Sequence, residues 1–121
     1  MKVLVTGFTP FGGEQINPSW EAVKHLPERI GEMTITNREI PTEFDAACAA
    51  LRAAMDELRP DAVLSVGQYG GANGIRVERV AVNLRDARIA DNAGAKPVDE
   101  PVVPGAPDAY FATLPTRRIV E

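Results

Sequence analysis

The chain has 121 residues, which is enough for one domain or a portion of a larger one. With 45% apolar and 25% charged residues it is neither disordered nor collagen-like, and its one cysteine, Cys48, cannot form an internal disulfide. A formal net charge of −4, without a basic run, disfavours binding to nucleic acid or to an anionic membrane. No apolar stretch approaches the roughly 20 residues of a membrane span, so we expect a cytoplasmic protein.

The chain opens with a predicted strand over residues 2–6 (KVLVT), whose β-branched residues are typical of a buried parallel strand. The loop that follows, GFTPFGGEQ, carries two phenylalanines and three glycines before any helical pattern begins. Asn17 and Pro18 then predict a helix N-cap and first helical position, with apolar residues at helical spacing up to Leu26.

A second strand, less buried than the first, is predicted over residues 33–40 (MTITNREI). Thr42 and Asp45 resemble a capping box for a second helix that ends before Pro60. Its predicted apolar face consists of Phe44, Cys48, Leu51, Met55 and Leu58.

A third strand is predicted over residues 62–66 and is followed by the glycine-rich loop GQYGGANG. Residues 75–84 (IRVERVAVNL) have strand composition, but their apolar pattern changes parity near Glu78, which predicts a bulge there. Residues 86–107 form a long structured loop, residues 110–114 suit another strand, and Pro115 begins a helical pattern.

This alternation of strands and helices predicts an α/β fold with a largely parallel sheet. Ligands bind such sheets at the carboxyl ends of the strands, so we expect residues 7–14, 40–43 and 67–74 to share one edge. Gly13 and Glu14 occupy the positions where a phosphate loop needs Lys and Ser or Thr, which disfavours nucleotide binding. Phe8 and Phe11 either wall a flat, uncharged ligand or belong to the core.

Glu78 stands out because it lies in an apolar pattern, where a buried carboxylate needs a partner. One interpretation is an ion pair with Arg76, Arg79 or Arg85, and the other is a role in orienting a catalytic histidine. His25 sits at the polar end of the first helix, where we expect it to be solvated. Cys48 is expected to be a small core residue, and no cluster of side chains has metal-ligand spacing, so neither a metal nor a cofactor is expected.

Several blocks of the sequence, in the same order, resemble the type I pyroglutamyl peptidases, also called pyrrolidone-carboxylate peptidases. They are VLVTGFTPFGGEQINPSWEAV, IPTEF, VGQYGG and VERVAVNLRDARIADNAGAKPVDEPVVPGAPDAYFATLP, which together cover nearly the whole chain. The resemblance implies a three-layer α/β/α fold and a thiol protease that removes N-terminal pyroglutamyl residues from peptides with a Cys, His and Glu triad.

The resemblance also implies roles for individual residues. Glu78 matches the catalytic glutamate, while Gln68 and Arg88 match polar positions near the site and Asn17 matches an asparagine that supports the first loop. The walls of the pyroglutamyl pocket correspond to Phe8, Phe11, Thr42 and Ile89.

The family's cysteine and histidine match neither Cys48 nor His25, so the resemblance implies that residues 1–121 are the N-terminal portion of a single domain. We expect this portion to be inactive by itself, because no acyl-enzyme forms without the thiolate. An alternative is a non-catalytic fragment that binds pyroglutamyl peptides or a partner. An incomplete sheet leaves an edge exposed, and we therefore expect a homo-oligomer.

Overall fold

The computed structural model describes residues 1–121, which form two compact units. The first unit comprises Met1–Tyr69 and Ala90–Ala95, and the second comprises Gly70–Ile89 and Lys96–Glu121. The longest helix has 15 residues, and no helix has the length and hydropathy needed to cross a membrane.

The first unit contains a four-stranded sheet and two helices. Their bounds are β1 Lys2–Phe8, α1 Pro18–Val23, β2 Arg29–Ile30, β3 Met33–Ile40, α2 Phe44–Leu58 and β4 Ala62–Ser65. The strand order is β2-β3-β1-β4, in which β1 runs parallel to both β3 and β4 and only the short β2 is antiparallel. The predicted α/β fold with a largely parallel sheet is confirmed.

The direction of the chain across the sheet reverses at β1. From β1 the chain passes through α1 to β3 on one side, and from β3 it passes through α2 to β4 on the other side. Because crossovers between parallel strands are right-handed, this reversal places the two helices on opposite faces of the sheet, as the three-layer prediction requires. Such a reversal also opens a crevice at the carboxyl ends of the strands.

The core of the first unit lies around the centre of β1. Leu4 is fully buried, and Val5 packs with Val23 of α1 and Ile35 of β3. The run VLVT predicted this burial correctly, because a central parallel strand is covered on both faces. β3 is less buried than β1, also as predicted.

The buried face of α2 agrees with the predicted one at Phe44, Leu51 and Leu58, which are half-buried, but not at Cys48 and Met55. Ala54 is its buried residue, whereas Cys48 is exposed and Met55 is 41% exposed. The prediction that Cys48 is a core residue was therefore wrong. The predicted stripe omitted the alanines of the helix, and Ala54 is the residue that becomes buried.

The second unit contains β5 Val80–Val82, β6 Ala109–Phe111 and α3 Thr116–Val120. β5 and β6 pair in an antiparallel ladder, in register from Val80 opposite Phe111 to Val82 opposite Ala109. The strand predicted over residues 75–84 is thus only three residues long, and the bulge predicted near Glu78 falls outside it. Residues of this segment pair in register with β6 only over Val80–Val82.

Candidate functional site

Three strands of the first unit end side by side. Phe8 at the end of β1 is in register with Ile40 at the end of β3, and the Thr9 amide donates to the Ile40 carbonyl at 2.9 Å. On the other side, the Val66 amide donates to the Thr6 carbonyl, also at 2.9 Å. The predicted convergence of residues 7–14 with 40–43 is confirmed, and Gly67 adjoins the same edge, since a Cβ added there would lie 3.9 Å from Phe8 Cε2.

The first loop, residues 9–17, is anchored by Asn17. This buried side chain caps α1 through its Oδ1, which accepts from the Ser19 amide at 3.0 Å and from the Ser19 hydroxyl at 2.8 Å. Its Nδ2 donates to the Thr9 carbonyl at 3.1 Å, and Ser19 Oγ accepts from the Phe8 amide at 2.9 Å. The predicted N-cap is confirmed, and the cap also fixes the chain as it leaves β1.

Thr42 joins the first loop rather than capping α2. The Thr42 amide donates to Thr9 Oγ1 at 3.0 Å, and the Thr42 hydroxyl donates to the Thr9 carbonyl at 2.7 Å. The two hydroxyl oxygens lie 3.1 Å apart, and because the Thr42 hydrogen is already used, Thr9 is the donor between them. The predicted capping box at Thr42 and Asp45 was wrong: the N-cap residue is Glu43, and its side chain forms no capping hydrogen bond.

The cap of α2 comes instead from Asp91, in a tight turn that we call the 91–95 turn. Asp91 Oδ2 accepts from the Phe44 amide at 2.8 Å, and Oδ1 accepts from the amides of Ala93 at 2.9 Å and Ala95 at 2.8 Å. The Phe44 amide is the main reason why the pKa of Asp91 lies below its ordinary value of 3.8, and the amides of the turn act in the same direction against the opposing effect of burial.

Asn92 connects this turn to both neighbouring loops. Its backbone amide donates to the Thr42 carbonyl at 3.1 Å, and its Nδ2 donates to the Pro10 carbonyl at 2.8 Å. Neither Asp91 nor Asn92 was predicted as a site residue, although the sequence Asp-Asn-Ala-Gly is a typical signal for a turn closed by an Asp side chain.

A cavity of about 260 Å³ lies at this edge of the sheet. It is lined by Phe8, Thr42, Glu43, Phe44, Ala47 and Asp91, all of the first unit. Its volume is slightly below the roughly 300 Å³ at which pockets for drug-sized ligands begin, so it suits a small molecule. The two aromatic rings offer such a ligand apolar walls, and the polar residues of the lining are Thr42, Glu43 and Asp91.

Of the predicted site residues in the first unit, Phe8 and Thr42 line the cavity and Asn17 supports the loop beside it. Phe11 lies half-buried in the same loop and is not among the lining residues. Gln68 is exposed and lies two residues after Val66, whose amide donates to β1. Phe44, which was predicted only as an apolar helix residue, supplies the second ring of the cavity.

The remaining predicted site residues belong to the second unit. Glu78, Arg88 and Ile89 are all exposed there, and regular strand geometry begins only at Val80. The expectation that Glu78 is buried in an apolar strand was therefore wrong.

Two of the three candidate arginine partners of Glu78 have other neighbours. Arg79 lies over the ring of Phe111, 5.9 Å from its centroid, and Arg85 pairs with Glu100 at 3.3 Å. His25 is exposed beyond the end of α1, as predicted.

Comparison with known proteins identifies the family. The family model described as pyroglutamyl peptidase matches residues 1–121. The pyrrolidone-carboxylate peptidase of Thermococcus onnurineus is 52% identical over 121 residues, which are 100% of this chain and 60% of the relative. That of Chromobacterium violaceum is 56% identical over 119 residues, which are 98% of this chain and 57% of the relative.

The fold agrees with this assignment. The crystal structure of Bacillus amyloliquefaciens pyroglutamyl peptidase I superposes with a TM-score of 0.95 at 52% identity, over 98% of this chain and 58% of that one. The chain thus spans about 60% of the length of these relatives. Given a family match along its whole length and the shared fold, the chain belongs to the pyroglutamyl peptidase family.

Proposed function

We propose that this chain supplies the substrate-binding part of a peptidase that removes N-terminal pyroglutamyl residues from peptides. The observation that carries the proposal is the small cavity at the carboxyl ends of β1 and β3, walled by Phe8, Thr42 and Phe44. A pyroglutamyl group is a flat, uncharged lactam, so aromatic and aliphatic walls bind it without the cost of desolvating a charge.

Further residues complete the proposed site. Phe11 and Ile89 extend the apolar walls, Gln68 and Arg88 provide polar contacts to the substrate, and Asn17 keeps the first loop in place. In this proposal Glu78 accepts a hydrogen bond from a catalytic histidine and thereby fixes the orientation and tautomer of the imidazole.

The proposed reaction is that of a cysteine peptidase. A thiolate attacks the carbonyl carbon of the peptide bond that follows the pyroglutamyl ring. The C–S bond forms, the C–N bond of that peptide breaks, and the imidazolium gives its proton to the leaving amine. Water, deprotonated by the same imidazole, then splits the thioester and releases pyroglutamate and the thiol.

Neither Cys48 nor His25 is proposed to perform these steps. Cys48 lies exposed on α2 and His25 lies beyond the end of α1, and neither lines the cavity. We propose that the family's cysteine and histidine lie outside residues 1–121, and that residues 1–121 alone do not cleave substrate.

A chimera tests the catalytic proposal. We would join residues 1–121 to the remaining residues of the Bacillus amyloliquefaciens enzyme and measure release of aminomethylcoumarin from its pyroglutamyl amide. We expect cleavage by the chimera and none by residues 1–121 alone. Glu78→Gln in the chimera should reduce kcat by about 10²- to 10⁴-fold, whereas the exposed Glu32→Gln should have no effect. A folded chimera without cleavage would refute the proposal.

A second candidate function is binding without cleavage. It is favoured by one observation: every residue that lines the cavity belongs to the first unit of this chain. Calorimetric titration of the 121-residue chain with pyroglutamate tests it, with proline as a control ligand that lacks the lactam carbonyl. We expect saturable binding of pyroglutamate only, weakened by Phe8→Ala. Absence of binding excludes this candidate and leaves the chimera to decide the first.

A further inference from the structure

The 91–95 turn is closed by four hydrogen bonds of its own. The Asp91 amide donates to the Ala95 carbonyl at 2.8 Å, and the Gly94 amide donates to the Asp91 carbonyl at 3.0 Å. Asp91 Oδ1 accepts two further amides of the same turn. These bonds hold the turn independently of its neighbours, so it can act as a fixed support for whatever is attached to it.

Three hydrogen bonds attach this support to the walls of the cavity. On one side, Asp91 Oδ2 accepts from the Phe44 amide, and the Asn92 backbone amide donates to the Thr42 carbonyl. On the other side, Asn92 Nδ2 holds the Pro10 carbonyl in the loop that follows Phe8. The turn therefore contacts both the wall formed by Thr42 and Phe44 and the segment that carries the Phe8 wall.

We propose that Asp91 and Asn92 are positioning residues that set the separation between the Phe8 wall and the Thr42–Phe44 wall of the cavity. The inference rests on the proposed function, since it assigns these residues to the recognition of the pyroglutamyl ring. When the walls of a slot for a flat ring separate by about 0.5–1 Å, the ring loses about a quarter to a half of its dispersion attraction to one wall. In this proposal, the hydrogen bonds of Asp91 and Asn92 fix that separation.

The opposing explanation is that Asp91 merely stabilises α2 as a helix cap. The two explanations differ at Asn92, because its side chain contacts the first loop and not the helix. Loss of the Asn92 side-chain amide would leave the cap of α2 intact and remove the bond that joins the 91–95 turn to the first loop. Asn92 is therefore the decisive position.

Two variants and one control separate the explanations in the 121-residue chain. Asp91→Asn is isosteric and retains one carbonyl oxygen for the turn, but it presents an NH₂ group to the Phe44 amide. Asn92→Ala removes only the link to Pro10. Asp56→Asn makes the same charge change as Asp91→Asn at an exposed position of α2.

The measurements are amide hydrogen exchange and calorimetric affinity for pyroglutamate. In Asp91→Asn we expect the Phe44 amide to exchange about tenfold faster, the effect of losing one hydrogen bond to a charged group, while Ala95 remains protected. In Asn92→Ala we expect the Phe44 amide to remain protected. The Thr42 amide should exchange faster, because its acceptor, Thr9 Oγ1, lies in the loop that loses its bond to Asn92. Both variants should bind pyroglutamate about tenfold more weakly than the wild type, and Asp56→Asn should match the wild type in every measurement.

Each outcome decides a separate claim. If Asn92→Ala binds pyroglutamate as tightly as the wild type, the positioning role is wrong although the proposed function stands. If the wild type does not bind pyroglutamate, non-catalytic binding by the 121-residue chain is excluded, and the chimera decides the proposed function. The exchange rate of the Thr42 amide then tests whether the turn sets the separation of the walls. An unchanged rate in both variants would show that it does not.

Discussion

Gly7 shows how a single hydrogen atom in place of a side chain brings β1 and α1 together. A Cβ at this position would lie 2.7 Å from both Cα and N of Trp20 and 2.9 Å from the carbonyl carbon of Ser19. All three are backbone atoms, so the contact is not relieved by rotating a side chain. The close approach also brings Ser19 Oγ within reach of the Phe8 amide, which places the aromatic wall of the cavity.

Gly7→Ala should therefore destabilise the first unit. We expect a loss of about 1–3 kcal/mol in the free energy of unfolding, since the helix must move away from the strand. Urea denaturation monitored by Trp20 fluorescence measures it. The control is Gly70→Ala, where an added Cβ meets no atom within 4 Å. Equal stabilities for the two variants would contradict the packing argument.

Asp91 makes the stability of the chain depend on pH. Its hydrogen bonds, that of the Phe44 amide first, hold the pKa of the folded-state carboxyl below the ordinary value of 3.8. A lowered folded-state pKa means that the stabilisation is complete above the unfolded-state pKa and is lost as the pH falls through the folded-state pKa.

We accordingly expect the stability difference between the wild type and Asp91→Asn to be constant near neutral pH and to shrink below about pH 4. Urea titrations of both proteins at a series of pH values measure this difference. Its persistence at about pH 2 would show that the carboxylate charge is not what stabilises the turn.

At the scale of elements, local sequence patterns predicted what local interactions decide. The bounds of β3 and the end of α2 before Pro60 were predicted correctly, because β-branched runs and prolines act within a few residues. The cap of α2 was missed because its donor and acceptor, Phe44 and Asp91, are 47 residues apart. β5 was predicted too long because its length is set by its partner β6.

The buried side of α2 was predicted incorrectly at Cys48 and Met55, and this provides a test. Ala54 is 6% exposed, whereas its neighbour Met55 is 41% exposed. Ala54→Gln places a larger polar side chain at a buried position and should cost about 1–3 kcal/mol. Met55→Gln should change stability by less than about 0.5 kcal/mol. If Met55→Gln instead lowers the melting temperature more than Ala54→Gln, Met55 is the buried residue, as the sequence pattern predicted.

The candidate site was predictable to the extent that it depends on topology. The convergence of the loops after β1 and β3 follows from the parallel alternation, and it brings Phe8 and Thr42 together. The contributions of Phe44 and of the 91–95 turn were not predictable in this way. They depend on a contact between segments that no periodicity links, and the only local signal was a turn-forming Asp-Asn-Ala-Gly.

At the scale of the whole molecule, the two units differ in what holds them together. All six buried apolar residues, namely Leu4, Val5, Val23, Ile35, Ile40 and Ala54, lie in the first unit. In the second unit both strands are three residues long, and all the residues of β5 and β6 are exposed. A two-stranded ladder without a covered apolar face is marginally stable in water.

This contrast predicts a gradient of local stability along the chain. Amides at the centre of β1, such as those of Leu4 and Val5, should exchange with solvent only when the first unit unfolds globally. Amides of the β5–β6 ladder should exchange by local opening, at rates at least about 100-fold higher, because little buried apolar area opposes that opening. Hydrogen exchange followed by mass spectrometry of peptic fragments measures both. In the chimera with the Bacillus amyloliquefaciens residues, the β5–β6 amides should become protected if those residues cover the apolar side chains exposed here, such as Val82 and Phe111. Equal protection of the two units in the 121-residue chain would show that the second unit is stable without a buried core of its own.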